Sequence, residues 1–214
     1  TDVNLRRAWE LNYQNGIPGL KAQLKVEDFQ TLDKTIKDAD KPYARLPQFL
    51  LNYVTGDPQG LQYEFNNDTA YFKKSINDDS ALESSGTRIY NQFAVRYNYI
   101  TPSWFYAIPE VSVRSINTFY DQDSKESLGF SKSDDLEKSV VVPQFTLATG
   151  VTFEKEGKYL QSISPRAFYA YSPYKKQDNY PNFDSTTASI NYDQLFNPYR
   201  FYGHDRLDDN NFLS

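Results

Sequence analysis

The chain has 214 residues, a net charge of −5 and a mean hydropathy of −0.72, and it lacks the run of ~18 apolar residues that a membrane-spanning helix needs. It has no cysteine and one histidine, His204, which excludes disulfides, thiolate metal sites and a His-based metal cluster within this segment. Net acidity argues against a nucleic-acid footprint, and the absence of a basic leader and of any methionine marks a mature or cropped piece.

The aromatic content, 18 Tyr and 15 Phe against 2 Trp, suits a wet interface or an outer-membrane barrel. Alternation predicts eight strands, at about 5–14, 18–29, 43–54, 61–73, 87–100, 104–120, 139–154 and 159–174. Successive side chains of a strand point to opposite sides of its sheet. In the second strand Leu20, Ala22, Leu24 and Val26 therefore oppose Lys21, Gln23, Lys25 and Glu27. In the fourth, Leu61, Tyr63 and Phe65 oppose Gln62, Glu64 and Asn66. In the sixth, Phe105, Ala107, Pro109, Val111 and Val113 oppose Glu110, Ser112 and Arg114. In the seventh, Phe145, Leu147, Val151 and Phe153 oppose Gln144, Thr146, Gly150 and Thr152. A helical period shows only around Thr187 to Phe196.

The connections carry further information. "NGIP", "TGDPQG", "ITPS" and "KEGK" are short, and they alternate with "TLDKTIKDADKP", "KSINDDSALESSG", "DQDSKESLGFSKSDDLEK" and the stretch from Lys175 onwards. In an up-and-down meander this puts every long, charged loop at one edge. That pattern is expected of a bacterial transmembrane β-barrel, with short periplasmic turns and longer extracellular loops. Strand length agrees, because strands of ~12–17 residues exceed the soluble mode of about five or six. Trp104 and Phe105 at one end of the sixth strand, and Phe119 and Tyr120 at the other, bracket an apolar band. The expected lipid-facing residues are Leu20, Leu24, Val111, Phe145 and Leu147. The expected lumen-facing residues are Lys21, Lys25, Glu27, Glu110, Arg114 and Arg166. A soluble sandwich would alternate in the same way, so faces alone do not separate the two.

Four strands contain proline before a polar residue: "LPQFLLNY", "IPEVSV", "VPQFTLAT" and "SPRAFYAY". Proline cannot donate to a ladder, so each predicts a bulge or strand end, or a weakness in lateral pairing. No catalytic constellation is present, because His204 beside Asp205 lacks a positioned nucleophile. "DQDSKES" has calcium-loop spacing without the glycine the loop requires. "DRLDDNN" offers carboxylates for a divalent cation, against a structural role for Asp205 and Arg206 in ordering their loop.

The late stretches "YLQSISPRAFYAYSPYKKQDNYPNFDS" and "NYDQLFNPYRFYGHDRLDDNN" closely resemble the lipopolysaccharide (LPS)-assembly family LptD, also called organic-solvent-tolerance proteins. The resemblance rests on Tyr159-Leu160-Gln161, Pro165-Arg166, Tyr171, Pro173-Tyr174, Pro181 to Ser185, Leu195-Phe196, Arg200-Phe201, Gly203, Asp205-Arg206 and Asn211. Lys175 and the inserted-looking Pro198-Tyr199 depart from the family pattern. The resemblance implies a middle stretch of a very large barrel in the outer membrane of a Gram-negative bacterium. Its barrel holds a plug lipoprotein, LptE, receives LPS from periplasmic bridge proteins and releases it sideways into the outer leaflet. It also implies that disulfides and the lateral seam lie outside this stretch, and that the role is not enzymatic and needs no cofactor. The whole chain is then one barrel segment, with strands over about 5–174 and a long extracellular loop over about 175–207. A general porin and a soluble carbohydrate-binding β-protein are the alternatives.

Closure gives a further expectation. A closed eight-stranded barrel has an interior just wide enough to be filled by side chains, and unpaired charges there are very costly. The predicted inner face carries seven charges, Glu64 and the six above. An open sheet follows, with 5–14 not paired to 159–174 and each charge hydrated in a wide lumen.

Overall fold

The computed structural model describes residues 3–33, 35–37, 40–75, 83–102, 104–125, 128–131, 134–177, 180, 182–189 and 191–214. Five long strands, β1 (Asn4–Tyr13), β2 (Leu20–Thr31), β3 (Ala44–Gly56), β4 (Leu61–Ser75) and β5 (Glu83–Tyr97), follow one another antiparallel. A short β6 (Tyr99–Ile100) and β5 both pair with β7 (Phe105–Tyr120), which pairs in turn with β8 (Glu137–Val151). β9 (Phe153–Lys155) and β10 (Gln161–Ile163) form a hairpin, and β11 (Arg166–Ser172) returns beside β8. β12 (Thr186–Thr187) pairs with β13 (Phe201–Tyr202), and β14 (Asn210–Leu213) adds to β11. The sheet order is β1-β2-β3-β4-β5-β7-β8-β11-β14. Among the described residues no ladder joins β1 to β11 or β14, so the sheet is open, as the charge argument required.

Several boundaries differ from expectation. The strand expected at 159–174 is two pieces, β10 and β11, separated at Pro165. The far edge of the sheet is β14, not that strand, because the chain comes back after residue 209 to pair with Tyr169–Ser172. The loop expected over 74–86 shrinks, since β4 and β5 stay paired out to Ser75–Glu83; 76–82 lie outside the described residues. Around Thr187 to Phe196 the helical hint becomes a single 3-10 turn, Asp193–Phe196.

The prolines find different solutions. Leu46-Pro47 forms a bulge, where the β3–β4 register shifts between Arg45 and Gln48. Pro109 and Pro143 sit in unshifted register. Pro109 lies across from the break between Tyr97 and Tyr99, and Pro143 lies beyond Phe145, the last β8 residue paired with β11. Each missing donor falls where a neighbouring ladder has already stopped.

Directly opposed residues of an antiparallel pair share a face, so the registers assign every strand residue. One face carries Lys21, Gln48, Asp68, Arg88, Arg114 and Gln144, and the described residues of 173–209 fold back over part of it. We call it the covered face and its reverse the bare face. Toward the loop end the alternation inverts. There Phe72, Tyr90, Ile116, Val140 and Val142 are buried on the covered face, while Asn67, Asn91, Ser115, Asn117 and Ser139 lie on the bare face. The bare-face amides bond to one another, Asn67 Nδ2 donating to Asn91 Oδ1 at 2.8 Å and Ser139 Oγ to Asn117 Oδ1 at 2.7 Å. Tyr120, expected in an outer aromatic girdle, instead points to the covered face and packs on Phe183 and Phe130.

Candidate functional site: the covered face and the segment folded over it

The covering segment first organises itself. Asp205 Oδ2 accepts the backbone N–H groups of Phe183, Asp184 and Ser185 at 3.0, 2.8 and 3.0 Å, and Ser185 Oγ accepts the Asp205 N–H at 2.8 Å. The Arg206 guanidinium donates to the carbonyls of Gln177 and Tyr180, both at 2.6 Å. Gln177 bonds the backbone of Leu207 through both ends of its amide. Asp205 and Arg206 thus bring residues distant in sequence into one compact unit.

That unit is pinned to the sheet by charge and by aromatic packing. Arg88, 0% exposed in mid-β5, donates to Asp184 Oδ1 at 2.5 Å and Asp205 Oδ1 at 2.7 Å, and lies 3.5 Å from Asp68 on β4. Its guanidinium also sits 4.7 Å over the ring of Phe72, on which Phe183 stacks at 4.7 Å. Arg45 bridges Asp184, at 3.1 Å, to Glu27. His204 Nδ1 lies 3.0 Å from Asp68 Oδ2, and its ring stacks on Tyr90 at 3.9 Å. Arg114 donates to the Asp208 carbonyl at 3.3 Å and lies under the ring of Tyr199. Burial pushes the Asp184 carboxyl upward, but Arg88 and Arg45 outweigh it and hold the group well below the usual carboxylate range. At Asp208 burial wins over Arg114 and Arg200, and the carboxyl lies above its usual value.

The registers place Lys21, Lys25, Glu27, Glu110, Arg114 and Arg166 on the covered face, and Leu20, Leu24, Val111, Phe145 and Leu147 on the bare face. The expectation that every inner charge is hydrated fails at two of them. Glu27 is 3% and Arg114 2% exposed. Glu27 is enclosed by Arg6, Arg45 and Lys25, and Arg114 is roofed by the folded segment. Arg166 lies 4.0 Å from the Phe196 ring centre, Glu110 lies 3.7 Å from Arg96, and Lys21 stays exposed. Arg88 and Asp68, the centre of the arrangement, escaped the sequence reading. Each is one polar residue in an alternating strand, and only the returning segment gives it meaning.

Beside the segment, a groove of ~550 Å³ opens along the covered face, lined by Asn12, Lys21, Gln23, Asn52, Gln92 and His204 among others. Its amides and single ammonium can hydrogen-bond a hydroxyl-rich or anionic ligand. His204, at the edge of the groove, is held by Asp68 through Nδ1 and by stacking on Tyr90.

The bare face completes the geometry. The pair row through Leu24 runs Leu11–Leu24–Phe49–Thr69–Ile89–Asn117–Ser139, apolar at one end and polar at the other. The row through Val111 runs Thr55–Tyr63–Val95–Val111–Phe145–Tyr171–Asn211, apolar and aromatic between two polar ends. From β2 to β7 the apolar stripe thus slides by about six residues, ~20 Å, across four strand spacings, ~19 Å. Strands cross this stripe at ~45°, close to the ~35–45° tilt of transmembrane barrels.

The family described as LPS transport system D matches residues 1–214. The chain belongs to the LptD family. It is 80% identical over 214 residues to the LPS-assembly protein LptD of Acinetobacter baumannii, covering all of this chain and 26% of that protein. The LptD protein of Acinetobacter baylyi is 74% identical over 216 residues, and that of Psychrobacter arcticus 42% over 223 residues. The chain spans about a quarter of the length of these curated LptD relatives. The LptD match covers the faint N-terminal strands as well as the late motif from which the resemblance was read.

Proposed function

We propose that this chain is a stretch of wall in a larger outer-membrane β-barrel that carries LPS to the outer leaflet of a Gram-negative bacterium. The oblique apolar stripe on the bare face is the observation that carries this reading, together with LptD membership. On β7 the stripe runs from Phe105 to Val113, ~26 Å along the strand and ~19 Å after tilting, with Ser115 the first polar residue above it. That approaches an apolar band ~25 Å tall. Leu20, Leu24, Val111, Phe145 and Leu147 then meet lipid, and the inversion above them marks where the wall leaves the hydrocarbon. Lys21, Lys25, Glu27, Glu110, Arg114 and Arg166 face the lumen. There the polar groove suits the sugars and phosphates of LPS, and the uncovered wall suits the plug lipoprotein LptE. Periplasmic bridge proteins deliver LPS from the short-turn side. The segment over about 175–207 belongs to the extracellular side and folds into the mouth of the lumen. The role is transport without covalent chemistry, and the lateral seam lies elsewhere in the barrel.

Single cysteines in the full-length protein in membranes test the assignment. Those at Lys21, Gln23 and Lys25 should label readily with a polar thiol reagent, and those at Leu20 and Leu24 should not. Equal labelling of both sets would overturn the lipid and lumen faces.

A further inference from the structure

The hairpin β9–β10 stands out from the sheet. The last β7–β8 pair is Phe105–Val151, so Phe153–Lys155 have β10 as their ladder partner and no β7 beside them. Register is nonetheless continuous from Gly150–Arg166 to Phe153–Ile163, with Thr152 Oγ1 and Ser164 Oγ 3.1 Å apart between them. Phe153 and Ile163 therefore prolong the bare-face stripe of Val111, Phe145 and Leu147 past the rim. They are 62% and 72% exposed, and Leu160 at the tip is 70% exposed. A strand added at either edge of a sheet pairs through its backbone and leaves the faces open, so no missing wall strand would cover them. Charge is sorted across the same hairpin. Lys155 shares the face of Phe153, while Glu154 points the other way, opposite Ser162.

From this we infer that the hairpin of residues 153–163 is an interfacial anchor, its bare face seated among the phospholipid headgroups of the short-turn leaflet. Phe153 and Ile163 reach the acyl boundary, and Lys155, two pairs further out on the same face, meets the phosphates. Glu154, directed away from the lipid, avoids them. An apolar pair beside a cation at the rim of an apolar band is the arrangement that headgroup regions accept. The inference rests on the bare face being the lipid face, and the test separates the two.

An environment-sensitive fluorescent amino acid is placed singly at 147, 153, 154, 162 and 163 of the full-length protein, reconstituted in phospholipid bilayers. Lipids brominated near the headgroup should quench positions 153 and 163 at least twofold more than 154 and 162. Aqueous iodide should show the opposite order, and lipids brominated deep in the chain should quench 147. Quenching of 147 by lipid, with 153 and 163 as open to iodide as 154 and 162, would overturn the anchor alone. Positions 153 and 163 shielded from both lipid and iodide would overturn it in favour of a protein partner. A lipid-silent 147 would overturn the anchor and the membrane reading together.

Discussion

Arg88 shows what one residue can decide. It has no exposed surface and meets three carboxylates, two of them on the returning segment and one on the neighbouring strand. Such a pair is no guarantee of net stability, but removing one partner strands the others, at a cost of about 3–5 kcal/mol. Arg88→Met should therefore release residues 173–209 from the sheet, read as faster proteolysis within that segment while the rest of the wall stays resistant. The sign with pH follows from Asp184. Its folded carboxyl is depressed by Arg88 and Arg45, so its stabilisation is present above the unfolded value of ~3.9 and is lost as pH falls through the lower folded value. The parent segment should become pepsin-sensitive only in strong acid. In Arg88→Met only the Arg45 share of the depression remains, and the acid step should move to higher pH; identical acid profiles would contradict this role for Arg88.

The strands of this wall are not uniform along their length. Below the row Asn67–Asn91–Ser115 the bare face is apolar and the covered face polar. Above it Phe72, Tyr90, Ile116 and Val140 turn inward and the amides turn outward. A single strand thus serves two environments, and the switch needs no change of backbone register. Leu147→Arg, low on the bare face, should destabilise the folded barrel by about 2–4 kcal/mol, as charges on a lipid face near mid-bilayer do. Gln62→Arg, on the covered face of β4, should cost far less. Thr146, beside Leu147 on the covered face, would be a poorer control, since it is 9% exposed and lines a cavity with Phe168 and Tyr199. Heat-modifiable gel mobility of the full-length variants reads the difference, and equal losses would argue against a lipid-facing Leu147.

The molecule as a whole is a sheet with two free sides. β1 pairs with β2 and β14 with β11, and neither strand has a second partner among the described residues. Unpaired edges seek other strands. The 214 residues refolded alone in detergent should therefore form heterogeneous oligomers, measured by size-exclusion chromatography with light scattering. A monodisperse monomer would mean that the two edges meet each other.

The period-two pattern by itself determined which residues of the lower strands share a face, because side-chain direction in a strand is a local property of the backbone. The turn chemistry determined the meander, and the crowding of charge on one face required an open sheet. The late motif, from Tyr159 to Asn211, was enough to point to LptD. None of this revealed where residues 173–209 go. Asp184, His204 and Asp205 read as loop polarity until the chain brings them to Arg45, Asp68 and Arg88, as much as 139 residues away in sequence. The inversion toward the loop end was hidden for the same reason. Whether Phe72 and Ile116 are buried depends on what folds over them, and long-range contact alone decides that.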